Sequence, residues 1–189
     1  LETLALPQTI AASTNPKSST GRLDVFTRVI ADGTRAFDTI AAGYAGPLFL
    51  EISPRTFPVL VRAGSRLSQI RFRRGDARLS DPELVALHAR EPIVDGVEPT
   101  VQGGLALSID LEGGFPGGLI GYRARRHSAV VDVDAKAALE VEDFWDPIRR
   151  RGAASLILDP NEFSILASRE AVTIPPDHAA EMVPFDPLV

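Results

Sequence analysis

Short apolar runs separated by turn residues dominate the hydrophobic pattern of the chain. Each run is bounded by Gly, Pro, Asp or Asn, and many contain β-branched residues. This pattern is typical of a β-sandwich or a barrel-like jelly roll with many short strands. The predicted strands are Leu48–Ile52, Pro58–Val61, Leu67–Phe72, Leu105–Leu111, Ala129–Val133, Leu156–Leu158 and Phe163–Ala167.

Two stretches of the chain show helical signals. Ser80 is a capping residue and Pro82 an early proline, ahead of an apolar run that begins at Leu84, and this order is typical of a helix start. The second stretch runs from about residue 134 to 145, has apolar side chains on one helical face and ends before Pro147. Together with the strands, these signals predict a mainly β fold with two minor helices.

A weak internal repeat relates the beginning of the chain to its end. Residues 6–12 match residues 174–180 at an offset of 168 positions (174 − 6), and Pro16 then aligns with Pro184. A period this long indicates a duplicated domain rather than a solenoid.

The repeat predicts a domain organisation. We expect residues 1–90 to form the back part of a first domain, residues 91–104 a linker, and residues 105–189 the front part of a second copy, all within a longer protein. The second copy is expected to be degenerate, because residues 185–187 (Phe-Asp-Pro) align with a cation and two hydroxyls of the first. This organisation predicts one catalytic site per chain.

Composition narrows the classes of chemistry. The chain has no cysteine, which removes disulfides, thiol nucleophiles and cysteine-based zinc sites. The histidines, His88, His127 and His178, are too far apart for a local ligand pair. A net charge of −5 disfavours duplex nucleic acid as a partner, and no apolar run is long enough to span a membrane. We expect a cytoplasmic protein with neither zinc, nucleic acid nor a membrane as a partner.

A polar turn at residues 15–23 combines cations, hydroxyls and a glycine. It contains Lys17, Ser18, Ser19 and Arg22. Backbone N–H groups, hydroxyls and cations presented together suit an oxyanion such as phosphate. The glycine and lysine order of a P-loop is missing, and composition alone also fits an ordinary surface turn.

A predicted strand after Gly43 carries a single carboxylate. Strand alternation places Leu48, Leu50 and Ile52 on the core face, and Phe49, Glu51 and Ser53 on the opposite face. A lone glutamate on a strand is more often a solvated side chain than a catalytic one. The strand therefore gains significance only in combination with other motifs.

The motifs together resemble the deoxycytidine triphosphate deaminase branch of the trimeric dUTPase superfamily. They are K-S-S-x-x-R-L at residues 17–23, G-Y-x-G-x-L-x-L-E-I at 43–52 and G-x-R-L-x-Q-I-x-F at 64–72. The resemblance is good over residues 1–75, and the remainder is similar to the longer two-domain bacterial enzymes. It implies a dUTPase-like distorted β-barrel or jelly roll, duplicated along the chain.

The resemblance also implies roles for individual residues. Glu51 matches the family's water-activating glutamate, and Ser18 and Arg22 match residues that line the catalytic pocket. The positions expected to bind substrate are Lys17, Ser19, Tyr44 and Gln69. In this family, sites form between subunits of a trimer, so the resemblance implies a homo-oligomer, either a trimer or a pseudo-hexamer of domains. It also implies that Mg²⁺ accompanies the triphosphate without touching the deaminated carbon.

The implied activity is hydrolytic deamination of dCTP to dUTP and ammonia, a step toward thymidylate precursors. A chain without cysteine fits a carboxylate base acting on water rather than a zinc deaminase. Two alternatives stay open. A dUTP pyrophosphatase or bifunctional enzyme is disfavoured because that activity relies on a hairpin aspartate near the sugar, and Ala41 stands in its place. Asp38 is one candidate for the missing contact with the sugar, and another copy of the domain is the other. A non-catalytic nucleotide-binding domain is disfavoured by Ser18, Arg22 and Glu51 occurring together.

Overall fold

Strands dominate the structure, as the hydrophobic pattern predicts. The computed structural model of the chain describes residues 1–152 and 155–183. Within that part the strands are β1 (Thr3–Ala5), β2 (Ile10–Pro16), β3 (Val25–Ala31), β4 (Thr39–Ile40), β5 (Ala45–Pro54), β6 (Val59–Leu60), β7 (Ser68–Arg74), β8 (Thr100–Val101), β9 (Leu105–Ala106), β10 (Leu119–Ala124), β11 (Val131–Asp132), β12 (Trp145–Arg149) and β13 (Ser164–Leu166). The helices are α1 (Ser18–Gly21), α2 (Asp81–Arg90) and α3 (Val141–Phe144).

The chain divides into two compact units that do not follow sequence order. Unit 1 comprises Leu1–Ala77 and Glu112–Leu166, and unit 2 comprises Arg78–Leu111 and Ala167–Val189. In unit 1, antiparallel sheets form in the orders β1-β5-β3, β4-β2-β7 and β12-β10-β13, and β6 pairs in parallel with β11. Unit 1 is therefore assembled from two separate stretches of sequence.

A first core of unit 1 joins two of its sheets. Ala12 and Ile40 come from sheet β4-β2-β7, whereas Val29, Ala31 and Leu48 come from sheet β1-β5-β3, and all five are buried in one cluster. Because side chains alternate along a strand, the residues between the buried positions of β3 and β5 lie on the opposite face of their sheet. That outer face carries the candidate chemistry described below.

A second core of unit 1 is aromatic. The ring of Phe57 packs edge-on against Phe144 and Trp145, with centroid distances of 5.9 and 5.2 Å. Ala124 and Val131 complete this buried cluster. Phe57, from the first sequence stretch of the unit, thus packs against residues of the second stretch. Edge-to-face ring pairs of this kind stabilise a core by more than the area they bury.

Unit 2 contains the first predicted helix, α2. The backbone N–H of Ser80 donates to the Glu83 carboxylate at 2.8 Å within a capping box, which supplies partners for N–H groups at the helix start. Leu87 packs against Ile93 and Val94 in the core of this unit. Ile93 and Val94 lie within residues 91–104, the predicted linker. The position of the domain boundary stays a prediction.

The second predicted helix, residues 134–145, is wrong over most of its length. Only the four residues of α3 are helical. The Asp134 carboxylate accepts a hydrogen bond from the Ser65 hydroxyl at 2.6 Å, and Ala137 has a φ of 50°, so a turn replaces the first half of the helix. Trp145 begins strand β12 instead, opposite Ala124 of β10.

Two predicted strands are also corrected. The predicted strand Leu105–Leu111 is reduced to β9, followed by a single bridge between Ile109 and Ser168. The predicted strand Leu156–Leu158 is wrong, because residues 155–158 form no regular element and Ile157 is 79 % exposed. An apolar run becomes a strand only where a neighbouring strand offers hydrogen-bonding partners.

The two halves of the predicted repeat form the same local turn. The N–H of Ile10 donates to the Pro7 carbonyl at 3.0 Å, and the N–H of His178 donates to the Pro175 carbonyl at 2.9 Å. These four residues are equivalent at the repeat offset. The expected loss of a second catalytic turn depends on positions 184–187. These positions lie outside the described residues, so the duplication stays a prediction.

A carboxylate at the β6–β11 pair makes a pH-dependent contribution to stability. Arg62 donates two hydrogen bonds to Asp132, at 2.7 and 2.8 Å. These bonds, with one from the Asp134 backbone, lower the pKa of the Asp132 carboxyl from 3.8 to about 2. A folded-state pKa below the unfolded value stabilises the protein at higher pH, and this contribution is lost as the pH falls from about 4 to about 2.

We therefore expect Asp132→Asn to lower the urea midpoint near neutral pH and to match the parent protein near pH 2. The effect is small because both side chains are solvated. Urea unfolding curves of the two proteins at several pH values test this expectation. A difference between the midpoints that is independent of pH contradicts it.

Candidate active site

The polar turn of the sequence is fixed to the start of β7. The backbone N–H of Lys17 donates to the Leu67 carbonyl at 2.9 Å, and the Thr20 hydroxyl donates to the same oxygen at 2.8 Å. Thr20 and Leu67 are both buried. Two hydrogen bonds to one buried carbonyl hold α1 in place, so the neighbouring exposed side chains project from a fixed backbone.

Four predicted site residues belong to this turn. Lys17 is the residue before α1, Ser18 and Ser19 form its first turn with exposed side chains, and Arg22 follows its last residue. Arg22 Nε donates to the Ser18 carbonyl at 3.3 Å, which orients the guanidinium back over the turn. The structure thus brings two cations and two hydroxyls together, as the sequence predicts.

A small cavity adjoins the turn. Its volume is about 40 Å³, and its polar lining comprises Lys17, Ser19, Thr20 and Arg66. The two cations and the Ser19 hydroxyl at this cavity suit phosphate oxygens, whereas the Thr20 hydroxyl already donates to Leu67. Arg66 precedes β7 and is placed here by the same chain segment that receives the hydrogen bonds from the turn.

Gln69 lies beside the turn through strand pairing. Gln69 is opposite Asn15 in the β2–β7 ladder, and Asn15 is two residues before Lys17. Asn15 Oδ1 is buried and accepts no hydrogen bond within the described part of the chain. A buried acceptor without a donor is costly in a folded protein, so Asn15 joins the candidate site. Asn15 and Arg66 lie within the motifs at residues 15–23 and 64–72. The sequence alone gives them no role at the site, because their places beside the turn depend on the β2–β7 pairing.

Glu51 occupies the outer face of the sheet β1-β5-β3. It is exposed at the middle of β5 and lies opposite Arg28 of β3. Leu48 is buried on the inner face, which confirms the predicted alternation, whereas Ile52 is 39 % exposed and its predicted core position is wrong. Ile52 lies toward the end of the strand, beyond the buried cluster, where its partner Thr27 is the buried side chain of the pair.

The hairpin before β5 is held by Tyr44. Its hydroxyl donates to the Pro47 carbonyl and accepts from the Asp32 N–H. Gly43 has a φ of +75°, and a side chain there would collide with Gln8, so both motif residues have structural reasons to be present. The role of Tyr44 toward substrate stays a prediction.

Asp38, considered as a replacement for the missing hairpin aspartate, is engaged in the fold. Its Oδ1 accepts hydrogen bonds from the Thr14 hydroxyl at 2.7 Å and from the Val29 N–H at 2.9 Å. These bonds link β2 to β3 through the residue before β4. The geometry therefore supports an anchoring role for Asp38 between the strands.

The predicted site residues form two groups in a single chain. One group surrounds the turn and includes Lys17 and Arg22, and the other contains Glu51 on the outer sheet face. Within residues 1–152 and 155–183, no hydrogen bond or ion pair joins Glu51 to Ser18 or Arg22. A larger cavity of about 310 Å³ lies next to Asp24, Arg55 and four other residues, and contains none of the predicted ones.

Comparison with known protein families gives a match for each of two successive parts of the chain. Residues 1–76 match the N-terminal domain of 2'-deoxycytidine 5'-triphosphate deaminase, and residues 80–189 match the C-terminal domain. The chain belongs to the 2'-deoxycytidine 5'-triphosphate deaminase family. This assignment confirms the resemblance that the turn, the glutamate strand and β7 carry in the sequence.

A solved member of the deaminase family has the same fold. The crystal structure of 2'-deoxycytidine 5'-triphosphate deaminase from Agrobacterium tumefaciens is 62 % identical in sequence, with a TM-score of 0.88. The match covers 92 % of this chain and 51 % of the Agrobacterium chain, so the present chain spans about half the length of that enzyme. It confirms the mainly β, dUTPase-like fold. Comparison with curated protein sequences gives no match.

The deaminase fold described here contains no helix suited to crossing a bilayer. Within the described ranges, no helix is both long and apolar enough to do so. The longest, α2, has ten residues, whereas a spanning helix needs about twenty.

Proposed function

We propose that the protein containing this chain hydrolyses dCTP to dUTP and ammonia. The observation that carries the proposal is the 62 % identity, over 92 % of the chain, with a structure of 2'-deoxycytidine 5'-triphosphate deaminase. The retained turn and the glutamate on β5 support it. In the cell, such a reaction supplies dUTP for thymidylate precursors.

Glu51 is the proposed general base. It accepts a proton from water as the water oxygen attacks C4 of cytosine, and it passes this proton to N3. It then takes the proton of the new C4 hydroxyl and passes it to the amino group, so that ammonia leaves as the C4 carbonyl forms. The exposed position of Glu51 on a rigid strand supports this role, because its oxygens are accessible to a water molecule. Ser18 and Arg22 are proposed to complete the catalytic pocket.

The turn is proposed to bind the triphosphate. Lys17, Ser19 and Arg66 offer two cations and a hydroxyl at one small cavity, and these groups suit phosphate oxygens rather than a metal ion. We therefore propose that Mg²⁺ would be held through the triphosphate, whose charge it would partly neutralise. Gln69 and Tyr44 are proposed to contact the nucleotide beside this turn.

A complete site is proposed to form between copies of the protein in a trimer. The outer face around Glu51 exposes Phe26, Ile30 and Phe49, at 46, 37 and 54 %. Neighbouring apolar side chains of this size are typical of surfaces that bind another chain. A second copy covering this face would supply the turn residues that the same chain does not bring to Glu51.

We also propose a cytoplasmic location.

Deamination and pyrophosphate release are separable by a direct assay. We expect the full-length protein to release ammonia from dCTP in the presence of Mg²⁺ and to release little pyrophosphate from dUTP, because Ala41 supplies no carboxylate at the hairpin. Ammonia and pyrophosphate are measured with each nucleotide. Pyrophosphate from dUTP alone favours the pyrophosphatase, and nucleotide binding without either product favours a non-catalytic domain.

A further inference from the structure

A group of polar contacts joins the two sequence stretches of unit 1 beside the small cavity. This group, here named the clasp, consists of Arg62 and Ser65 before β7 and of Asp132 and Asp134 at the end of β11. Arg62 donates to both carboxylate oxygens of Asp132, at 2.7 and 2.8 Å. The Ser65 hydroxyl donates to the Asp134 carboxylate at 2.6 Å. Two separate side-chain contacts therefore fix the segment before β7 to the second stretch of the unit.

Each side of the clasp is a turn with hydrogen bonds of its own. On one side, the Arg62 N–H donates to the Ser65 hydroxyl at 2.9 Å, and the Ser65 N–H donates to the Arg62 carbonyl at 3.0 Å. Gly64 between them has a φ of +92°, which residues with a side chain rarely adopt. On the other side, the Asp134 N–H donates to the Asp132 carboxylate at 3.1 Å. Both sides thus have a defined backbone direction.

The clasp adjoins two residues that line the cavity beside the polar turn. Arg66 directly follows one side of the clasp, and Val133 lies between the two carboxylates of the other side. Both residues line the cavity of about 40 Å³. Leu67, the residue after Arg66, accepts the two hydrogen bonds from Lys17 and Thr20. Arg66 is therefore fixed on one side by the clasp and on the other side by the turn.

The direction of the Arg66 side chain depends on its backbone. The side chain is exposed, and within residues 1–152 and 155–183 its guanidinium makes neither a hydrogen bond nor an ion pair. A long side chain loses rotational freedom when it binds a phosphate group. A backbone that already points the side chain toward the cavity keeps the total cost of ordering small, which favours binding.

We propose that the clasp positions Arg66 to bind the triphosphate of the nucleotide, and that the clasp residues do so without touching the nucleotide themselves. This inference rests on the proposed binding of phosphate oxygens at the small cavity. Arg62 is engaged by both oxygens of Asp132, so it is a positioning residue rather than a second cation for the phosphates. The second sequence stretch of unit 1 then contributes to nucleotide affinity through the backbone of the first.

Two variants of the full-length protein release the clasp in different ways. Asp132→Asn removes the charge and one of the two acceptors that hold Arg62. Ser65→Ala removes the hydroxyl that binds Asp134 and changes no charge. We expect each variant to raise the KM for dCTP by about 3–10-fold, a part of the usual effect of a hydrogen bond to a charged group. The kcat should stay within about twofold, because the proposed base, Glu51, is unaffected.

The direction of the change in Asp132→Asn is informative. Removing a negative charge near the cavity would by itself strengthen the binding of a triphosphate. A higher KM in this variant therefore reports the lost positioning and not the lost charge. The fold should be retained in both variants, because the contacts of the clasp are solvated and contribute little to stability.

A double-mutant cycle with Arg66→Gln tests whether the clasp acts through Arg66. Arg66→Gln alone should raise the KM for dCTP by about 10–100-fold. With Arg66 replaced, Asp132→Asn or Ser65→Ala should raise it further by less than about twofold, since substitutions in one network are not additive. Asp146→Asn is the matched control, because it removes a carboxylate from another exposed ion pair of unit 1, 2.8 Å from Arg125. It should leave kcat and KM unchanged.

The inference is overturned by an unchanged KM in either clasp variant. It is also overturned by a KM that rises equally with and without Arg66, or equally in Asp146→Asn. If the parent protein releases no ammonia from dCTP, the proposed function fails instead, and calorimetric titration with inorganic tripolyphosphate decides the inference. Weaker tripolyphosphate binding in both clasp variants then supports it, and equal binding, or no binding to the parent protein, overturns it.

Discussion

Replacing Glu51 by glutamine is expected to lower the rate of dCTP deamination by about 10²–10⁴-fold, the usual contribution of a general base. The amide has nearly the shape of the carboxylate but does not accept a proton from water. Because the proposed contacts with the triphosphate lie elsewhere, at Lys17, Ser19 and Arg66, dCTP binding should stay within about tenfold. Steady-state kinetics and nucleotide titration of the full-length variant measure the two quantities separately.

Glu98→Gln is a suitable control for this experiment. Glu98 is an exposed glutamate of unit 2, so the substitution makes the same chemical change away from β5. We expect its kinetics to match those of the parent protein. Near-normal turnover in Glu51→Gln excludes Glu51 as the base, and an equal loss in both variants indicates a general effect of the lost charge.

Replacing Arg22 by alanine is expected to weaken both binding and turnover, with kcat/KM for dCTP reduced by about 10²–10³-fold. The Nε of Arg22 is directed toward the Ser18 carbonyl, so the other donors of the planar group are held in a defined direction. Arg22→Lys should restore little activity, because an ammonium does not reproduce this fork of donors.

Kinetics of the two Arg22 variants, with Arg126→Ala as an exposed control after β10, provide the measurement. Full activity in Arg22→Lys shows that Arg22 acts only as a charge at a distance. Normal activity after replacing Ser18 and Arg22 together shows that the turn takes no part in the reaction.

The part of the site that depends on local geometry is predictable from the sequence. Alternation along β5 is sufficient to place Glu51 on the face opposite Leu48, because successive side chains of a strand point in opposite directions. The polar turn at Lys17 is likewise visible from residue types alone. Its four-residue helix is too short to leave a periodic pattern.

The remaining features depend on pairings between distant segments. The register that places Arg28 opposite Glu51 is set by the whole β3–β5 ladder, and a shift of one residue would turn the side chains of one strand to the other face. The failed helix prediction has a similar cause, because Ser65 and Asp134 meet only in the folded chain. Residue periodicity carries no information about such contacts.

The aromatic core around Phe57 constrains the order in which the protein matures on the ribosome. Its partners Phe144, Trp145 and Phe163 lie far along the chain, beyond all of the intervening residues of unit 2. A nascent chain that has emerged only as far as β7 therefore offers this core Leu23 and Val59 but none of the aromatic partners of Phe57. Such partially synthesised intermediates are prone to aggregation, so chaperone holding during translation should benefit this fold more than one whose cores close segment by segment.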